Sequence, residues 1–178
     1  MQTYPLVAHP ALPPEQVRGI YVYLVRLPDG RAMLRYRVEG SAKLVSPEFK
    51  GRGRADGLWK TTCFELFLAG DGEAYREFNF SPSGQWSAYR FTSERSGMEE
   101  FQPLALPEVQ VARGQDMLIV TAMVDARDLE GFSRAGISAV IEEEGGRLSY
   151  WALAHPSAQP DFHHPACFAA SLEPPQGT

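Results

Sequence analysis

Short segments in which polar and apolar residues alternate recur along the whole chain, and turn-forming residues separate them. This pattern constrains the fold more than any other feature, because side chains of a β-strand point alternately to its two faces. It predicts an all-β protein: an antiparallel two-sheet β-sandwich, immunoglobulin-like or jelly-roll-like, of about nine or ten strands. Only residues 125–132 carry the start and end signals of a helical turn. The predicted strands are residues 19–27, 32–39, 62–68, 74–80, 85–91, 108–112, 117–124, 136–141 and 148–153.

The length of 178 residues fits one domain, and 44% hydrophobic residues are enough to form a packed core. We therefore treat residues 1–178 as a single β-sandwich domain with a proline-containing tail at 173–178. Residues 41–59 contain two Gly-Arg pairs and a proline, show no periodicity and carry four basic side chains, so they are predicted to form a long basic loop. This loop is either a solvated linker or a flap beside the rest of the domain, which is acidic: residues 61–178 carry 7 Lys+Arg and 17 Asp+Glu.

The formal charge of −5 argues against nucleic acid as a partner, because phosphate binding favours a basic surface. No apolar run approaches the length needed to cross a bilayer, and the first residues lack the order of a signal peptide. A cytoplasmic protein with no membrane partner is the resulting expectation. Cys63 and Cys167 are then expected to be buried thiols more readily than a disulfide, although pairing stays open.

Two short loops let the register of three central strands be predicted. If residues 81–84 form a hairpin loop, Phe80 pairs with Gln85 and Asn79 with Trp86. The loop 69–73 pairs Glu65 with Glu77 by the same argument. One face of these strands then carries the core side chains Phe64, Leu66, Leu68, Phe78, Phe80, Ser87, Tyr89 and Phe91.

The other face is predicted to gather polar and aromatic side chains in one patch: Glu65, Tyr75, Glu77, Asn79, Trp86 and Arg90. Two glutamates directly opposite each other repel, so Arg90 neutralises one or the pair shares a proton. The patch is either an outward polar network or a ligand site. As a ligand site it suits a sugar, because aromatic rings contact the apolar face of a sugar while carboxylates, amides and guanidinium groups hydrogen-bond its hydroxyls.

Several sequence blocks resemble the DOMON-like proteins related to family 9 carbohydrate-binding modules. They are Leu-Trp-Lys-Thr-Thr-Cys-Phe-Glu-Leu-Phe at 58–67, Tyr-Arg-Glu-Phe-Asn-Phe-Ser-Pro-Ser-Gly-Gln-Trp at 75–86, Gly-Met at 97–98, Ser-Tyr-Trp-Ala-Leu-Ala-His-Pro at 149–156 and Pro-Asp-Phe-His-His-Pro at 160–165. The resemblance implies a two-sheet sandwich with a ligand site on or beside a concave sheet. In the sugar-binding members aromatic side chains sandwich a terminal sugar, so the resemblance makes Trp59, Trp86 and Trp151 candidates for that role.

The sequence gives less support to metal or haem binding than to sugar binding. His155, His163, His164 and Asp161 match no zinc-binding spacing, and we predict no metal and no cofactor. The resemblance to the wider DOMON group, which includes haem binders with Met and His ligands, leaves Met98 with His155 or His163 as an alternative.

A second alternative is a glycosidase-like enzyme that uses Glu65 and Glu77, although neighbouring side chains on a flat sheet leave little room to flank a bond. A protein-interaction domain is a further possibility. The sequence as a whole favours a non-catalytic protein that binds a saccharide or a similar polyhydroxylated small molecule, with no catalytic residue assigned.

Overall fold

A computed structural model describes residues 2–172, and the predicted tail at 173–178 lies outside them. These residues form twelve strands: β1 (Gln2–Ala8), β2 (Gly19–Arg26), β3 (Arg31–Glu39), β4 (Cys63–Ala69), β5 (Tyr75–Phe80), β6 (Trp86–Phe91), β7 (Glu99–Glu100), β8 (Glu108–Arg113), β9 (Met117–Asp125), β10 (Arg134–Glu143), β11 (Arg147–Ala152) and β12 (Ala170–Ser171). Three short 3-10 helices accompany them: Leu58–Lys60, Ala126–Leu129 and Pro165–Cys167. Among these residues no helix is both long and apolar enough to cross a membrane.

All nine predicted segments overlap an observed strand, with ends that agree to within two residues. The expected count of nine or ten strands is too low, because β1, β7 and β12 were not predicted. The helical turn predicted at 125–132 is present as the 3-10 helix Ala126–Leu129, and the carboxylate of Asp125 caps it by accepting from the Arg127 backbone N–H.

Every strand pairing is antiparallel, and hydrogen bonds join the strands in the order β7-β6-β5-β4-β10-β11-β1-β2-β3-β9-β8, with β12 beside β10. Strand β1 makes this path continuous, because its residues 2–6 pair with β2 whereas Val7 and Ala8 pair with β11. The result is one curled antiparallel sheet rather than the two separate sheets that we expected. A strand that changes partner partway along its length turns such a corner.

The core lies where the two halves of the curled sheet face each other. Tyr36 of β3 crosses this interior, donating a hydrogen bond to the carbonyl of Glu65 at 2.8 Å and packing its ring 4.9 Å from that of Phe64. Burial of each large apolar side chain stabilises the fold by about 1.5–3 kcal/mol. The fully buried members include Ile20, Leu34, Phe78, Phe80, Leu118 and Ile137.

The predicted register of β5 and β6 is wrong by one residue, because Phe80 lies opposite Trp86 rather than Gln85. The loop closes with a bond from the Ser81 N–H to the Gln85 carbonyl, and Gly84 adopts a left-handed φ of 88°. A type I turn followed by a left-handed glycine adds one residue to the loop. This shift inverts β6: Trp86 and Ala88 point into the core, whereas Ser87, Tyr89 and Phe91 point to the outer face.

The predicted register of β4 and β5 is wrong by two residues, which leaves the faces unchanged. Glu65 lies opposite Asn79, and Glu77 lies opposite Phe67. The predicted core positions Phe64, Leu66, Leu68, Phe78 and Phe80 are confirmed, each with 0% exposure. On the outer face of β4 and β5, Glu65 and Glu77 are diagonal neighbours.

The basic loop at 41–59 follows the sheet through backbone hydrogen bonds. Val45 N–H donates to the Glu142 carbonyl at 2.8 Å, Lys50 N–H to that of Ser83 at 2.7 Å, and Ala55 N–H to that of Trp86 at 2.9 Å. A Cβ atom added to Gly84 would lie 2.8 Å from the Gly51 carbonyl oxygen, so the loop packs tightly on this hairpin. The loop ends beside Trp59, which it carries to the outer face.

A buried carboxylate fixes the segment between β1 and β2. Glu143 has 0% exposure, and its two oxygens accept backbone N–H groups of Glu15 at 2.7 Å, Gln16 at 2.6 Å and Val17 at 3.4 Å. Hydrogen bonds to an ionised group are stronger than neutral ones. Glu143 therefore attaches the β1–β2 connection to the end of β10.

We predict that Glu143→Gln lowers the free energy of unfolding by about 1–3 kcal/mol, because one acceptor oxygen becomes an NH₂ donor that faces backbone donors. Urea denaturation measures the change. Glu144→Gln is the matched control, since Glu144 is the exposed neighbour of Glu143 and its removal alters the net charge equally. Equal stability of the two variants would show that Glu143 has no such role.

Candidate functional site

A cavity of about 360 Å³ opens on the outer face of β4 and β5. This volume lies in the range of sites for small molecules. Strand residues form its floor: Glu65, Glu77, Phe91, Val140 and Tyr150. Residues from connecting segments form its walls: Trp59, Arg95, Met98, Pro160, Phe162 and His163.

Aromatic rings line much of the cavity. Trp59 is 38% exposed, and its indole packs edge-on against Tyr89 with 6.2 Å between ring centroids. Tyr150 and Phe162 lie 6.0 Å apart. These rings offer apolar surface to a ligand.

The two glutamates of the floor are buried carboxyl groups. Glu65 is 3% exposed and its Oε2 accepts a hydrogen bond from Ser138 Oγ at 2.9 Å. Burial, followed by the charge of Glu77, raises the pKa of Glu65 well above its ordinary value, against the effect of that bond. Burial raises the pKa of Glu77 to about 7, although Asn79 and Arg95 act in the opposite direction. The pair therefore retains a proton near neutral pH.

His163 is neutral beside this pair. The Arg95 backbone N–H donates to the Tyr75 hydroxyl at 3.1 Å, and the same hydroxyl forms a hydrogen bond with His163 Nδ1 at 2.7 Å. The other ring nitrogen, Nε2, lies 3.8 Å from Glu77 Oε2. Burial, followed by the charge of Arg95, lowers the pKa of His163 to about 4, so the ring is uncharged at physiological pH.

Arg95 is held in a strained conformation at the rim. Its φ of 55° is the only left-handed value among non-glycine residues of the described chain, and such a position costs energy that surrounding contacts must supply. Asp161 Oδ1 accepts from Arg95 Nη2 at 2.8 Å and from the His163 backbone N–H at 2.9 Å. Burial alone would raise the pKa of Asp161, but these bonds hold it below its ordinary value. The Arg95 charge is thus already paired.

The structure brings together five of the eight residues predicted for the site. Glu65, Glu77 and Trp59 line the cavity. Tyr75 and Asn79 lie on the same face; Tyr75 orients His163, and Asn79 is fully buried with its Nδ2 donating to Ser87 Oγ at 3.2 Å.

Trp86, Arg90 and Trp151 lie elsewhere. Trp86 is 2% exposed in the core and donates its indole N–H to the Arg52 carbonyl, while exposed Arg90 forms an ion pair with Glu99 at 2.7 Å. Both positions follow from the one-residue register shift of β6. Trp151 is 4% exposed on the core face and donates to Ser149 Oγ. The predicted patch of Glu65 and Glu77 with Trp86 and Arg90 is therefore not formed.

Other cavity residues were not predicted as part of this site. Tyr150 follows from alternation, since it precedes the core residue Trp151 and must face outward. Arg95, Pro160 and Phe162 lie in irregular segments whose path no periodicity predicts.

Of the histidines considered for a metal or haem, only His163 reaches the cavity, where Met98 also lies. His155 Nε2 instead contacts the Val7 carbonyl oxygen at 2.6 Å, and its ring lies 4.9 Å from that of His9. Cys63 and Cys167 are buried free thiols.

We predict that stability falls as the pH rises from 6.5 to 8. The pKa values of Glu65 and Glu77 are raised in the folded state, so the folded protein binds more protons than the unfolded chain. The free energy of unfolding therefore falls as the pH rises through this window, by up to about 1.4 kcal/mol per pH unit for each extra proton bound. His163 acts in the opposite direction, because its pKa falls from 6.5 in the unfolded chain to about 4, but this effect fades as the pH rises above 6.5. Thermal unfolding of the native protein and Glu77→Gln measures the effect, which should be smaller in the variant; identical slopes would contradict it.

Comparison with known proteins reveals a similarity of fold. Neither the protein-family models nor the curated proteins contain a match. Among solved structures, the crystal structure of a protein from Bacteroides uniformis superposes with a TM-score of 0.63 at 15% identity, over 97% of this chain and 87% of the other. That protein is described as a "putative carbohydrate-binding protein". At this identity the likeness shows that the two chains share an all-β fold.

Proposed function

We propose that this protein binds a saccharide without chemical change in the cavity on the outer face of β4 and β5. The observation that carries the proposal is one cavity in which a partly exposed indole, Trp59, lies beside buried carboxyl groups. Sugars present apolar C–H faces and a rim of hydroxyls, so their sites combine aromatic surface with directional polar groups.

Each side of the cavity has a part in this proposal. Trp59, Tyr150 and Phe162 contact the apolar face of a sugar ring. The hydroxyls of the sugar donate to Glu65 and Glu77 and hydrogen-bond with Nε2 of His163. The volume of about 360 Å³ suits a monosaccharide or the end of a short chain better than a long polymer segment.

Two likenesses support a saccharide as the ligand. The Bacteroides uniformis structure with the same fold is described as that of a carbohydrate-binding protein. The sequence blocks at 58–67, 75–86 and 160–165 resemble DOMON-like proteins related to family 9 modules, and each contributes a cavity residue. We include in the proposal a relation to that group, with Trp59 and Tyr150 as the aromatic pair in place of Trp86 and Trp151.

A glycosidase-like activity is the second candidate, because two carboxyl groups with raised pKa values share one cavity. Binding is favoured over hydrolysis, since both groups rise from the same floor instead of flanking a bond. Release of the aryl group from aryl glycosides, abolished in Glu65→Gln, would establish the enzyme. No turnover would leave binding as the function.

Haem is less favoured than a sugar, although Met98 and His163 both line the cavity. His163 Nδ1 is hydrogen-bonded to the Tyr75 hydroxyl, and its Nε2 lies 3.8 Å from the buried Glu77 carboxyl group, so an iron ion on Nε2 would have to displace this contact. A Soret band in the purified protein would establish the haem alternative and overturn this argument.

We predict that Trp59→Ala weakens saccharide binding about ten-fold or more, because the indole supplies much of the apolar contact. Calorimetric titration with a panel of mono- and disaccharides measures the affinity, and indole fluorescence reports contact because Trp86 and Trp151 are buried. Phe49→Ala is the matched control, since Phe49 is 76% exposed and outside the cavity. If no sugar binds the native protein at millimolar concentration, the saccharide proposal is wrong.

A further inference from the structure

We propose that the ligand is an amino sugar, whose protonated amine binds between Glu65 and Glu77. The inference rests on the saccharide site proposed above and names the chemical class of its ligand. It follows from the charges at the cavity, from the acceptors that face it and from its aromatic wall.

The cavity has more acid than base available to a ligand. Glu65 and Glu77 are 3% and 5% exposed. The Arg95 guanidinium pairs with Asp161 at 2.8 Å, and the neutral His163 lies 3.8 Å from Glu77. Within residues 2–172 no lysine or arginine forms an ion pair with either glutamate. A buried carboxylate without a paired cation is costly, so the pair holds a proton in the free protein, and a ligand ammonium group can take the place of that proton.

The polar atoms of this face are mostly acceptors. Glu65 receives one hydrogen bond, from Ser138, although a carboxylate offers about four acceptor positions. Asn79, opposite Glu65, has 0% exposure and does not line the cavity, so the acceptors that face a ligand are the carboxyl oxygens of the two glutamates. An ammonium group brings three donors and no acceptor, whereas a hydroxyl brings one donor, so the amine satisfies this surface better.

The aromatic wall favours the same group. The faces of Trp, Tyr and Phe rings carry negative potential and attract cations. Trp59, Tyr150 and Phe162 line the cavity together with the two glutamates. An amino sugar presents both features that this arrangement selects: an apolar ring face for the aromatic surface and a cation for the carboxylates.

Proton balance gives the inference an independent signature. At pH 6 the Glu77 carboxyl, whose pKa is about 7, is mostly protonated, so binding of the ammonium breaks its O–H bond and releases that proton to the buffer, with no covalent bond formed. The other titratable groups around the pair are Tyr36, Cys63, Tyr75, Asp161 and His163, with Arg95 as a fixed charge. None of these is expected to lose a proton at pH 6, so a released proton reports on the glutamates.

The experiment is calorimetric titration at pH 6 with three matched sets of sugars: glucosamine and galactosamine, the parent hexoses, and the N-acetylated forms. All three sets share ring stereochemistry, and only the first carries a charge. We expect the hexosamines to bind about ten-fold or more tightly than either neutral set. Titration in two buffers of different ionisation enthalpy should show release of close to one proton for the hexosamines and none for the hexoses.

Glu77→Gln tests the residue, because it keeps the shape of the side chain and removes its charge. We expect this variant to bind hexosamine and hexose equally and to release no proton. Glu73→Gln is the matched control, since Glu73 is exposed in the loop that precedes β5. This variant should still bind hexosamines more tightly than hexoses. The thermal unfolding curve of each variant confirms that it is folded.

The outcomes separate the two proposals. Equal affinity of the native protein for hexosamines and hexoses would overturn the amine inference and support the saccharide site. Binding of cyclohexylamine with no binding of any sugar would overturn the saccharide site and support ammonium recognition. Failure of every probe to bind would overturn both. Retention of the preference in Glu77→Gln would overturn the role of this glutamate.

Discussion

The strict alternation of side chains along β4 and β5 is the constraint on which the rest of the structure depends. Phe64, Leu66 and Phe78 face the core with no exposure, and together with Tyr36 they hold the two halves of the curled sheet against each other. A one-residue slip would expose this whole set to solvent. Because the apolar side chains are fixed inward, Glu65 and Glu77 are fixed outward, at the place where the cavity lies.

Those outward carboxyl groups are buried because a second apolar layer covers the outer face. Phe67 stacks on Phe168 with 5.6 Å between centroids, and Tyr75 stacks on Phe91 at 4.7 Å. His163 packs edge-on against Phe67 and Phe91, so the ring that faces Glu77 is itself held by this layer. Such aromatic contacts contribute about 0.5–1.5 kcal/mol each beyond area burial. The same cover that stabilises the fold thus raises the carboxyl pKa values.

The sequence predicted this arrangement as far as local patterns extend. Alternation located nine strands and placed Glu65 and Glu77 on one face, because an error of two residues in register leaves the faces unchanged. An error of one residue does not, so the extra turn residue at Gly84 moved Trp86 from the predicted site into the core. Strand β1 was missed because Pro5 interrupts the expected pattern. The walls formed by Arg95 and Phe162 depend on tertiary contacts that no local signal encodes.

A comparison within the molecule supports a ligand for the buried glutamates. Glu143 is also fully buried, but its two oxygens receive three backbone N–H groups at 2.6–3.4 Å. Its carboxylate is satisfied by the chain itself, as expected for a structural role. Glu65 has a single hydroxyl donor, and Glu77 has the Asn79 amide and a histidine that stays neutral, with the Arg95 charge already paired to Asp161. The chain thus surrounds Glu143 with its own donors but leaves Glu65 and Glu77 facing a cavity lined by aromatic rings. These two carboxyl groups are therefore available for the donors that a ligand brings.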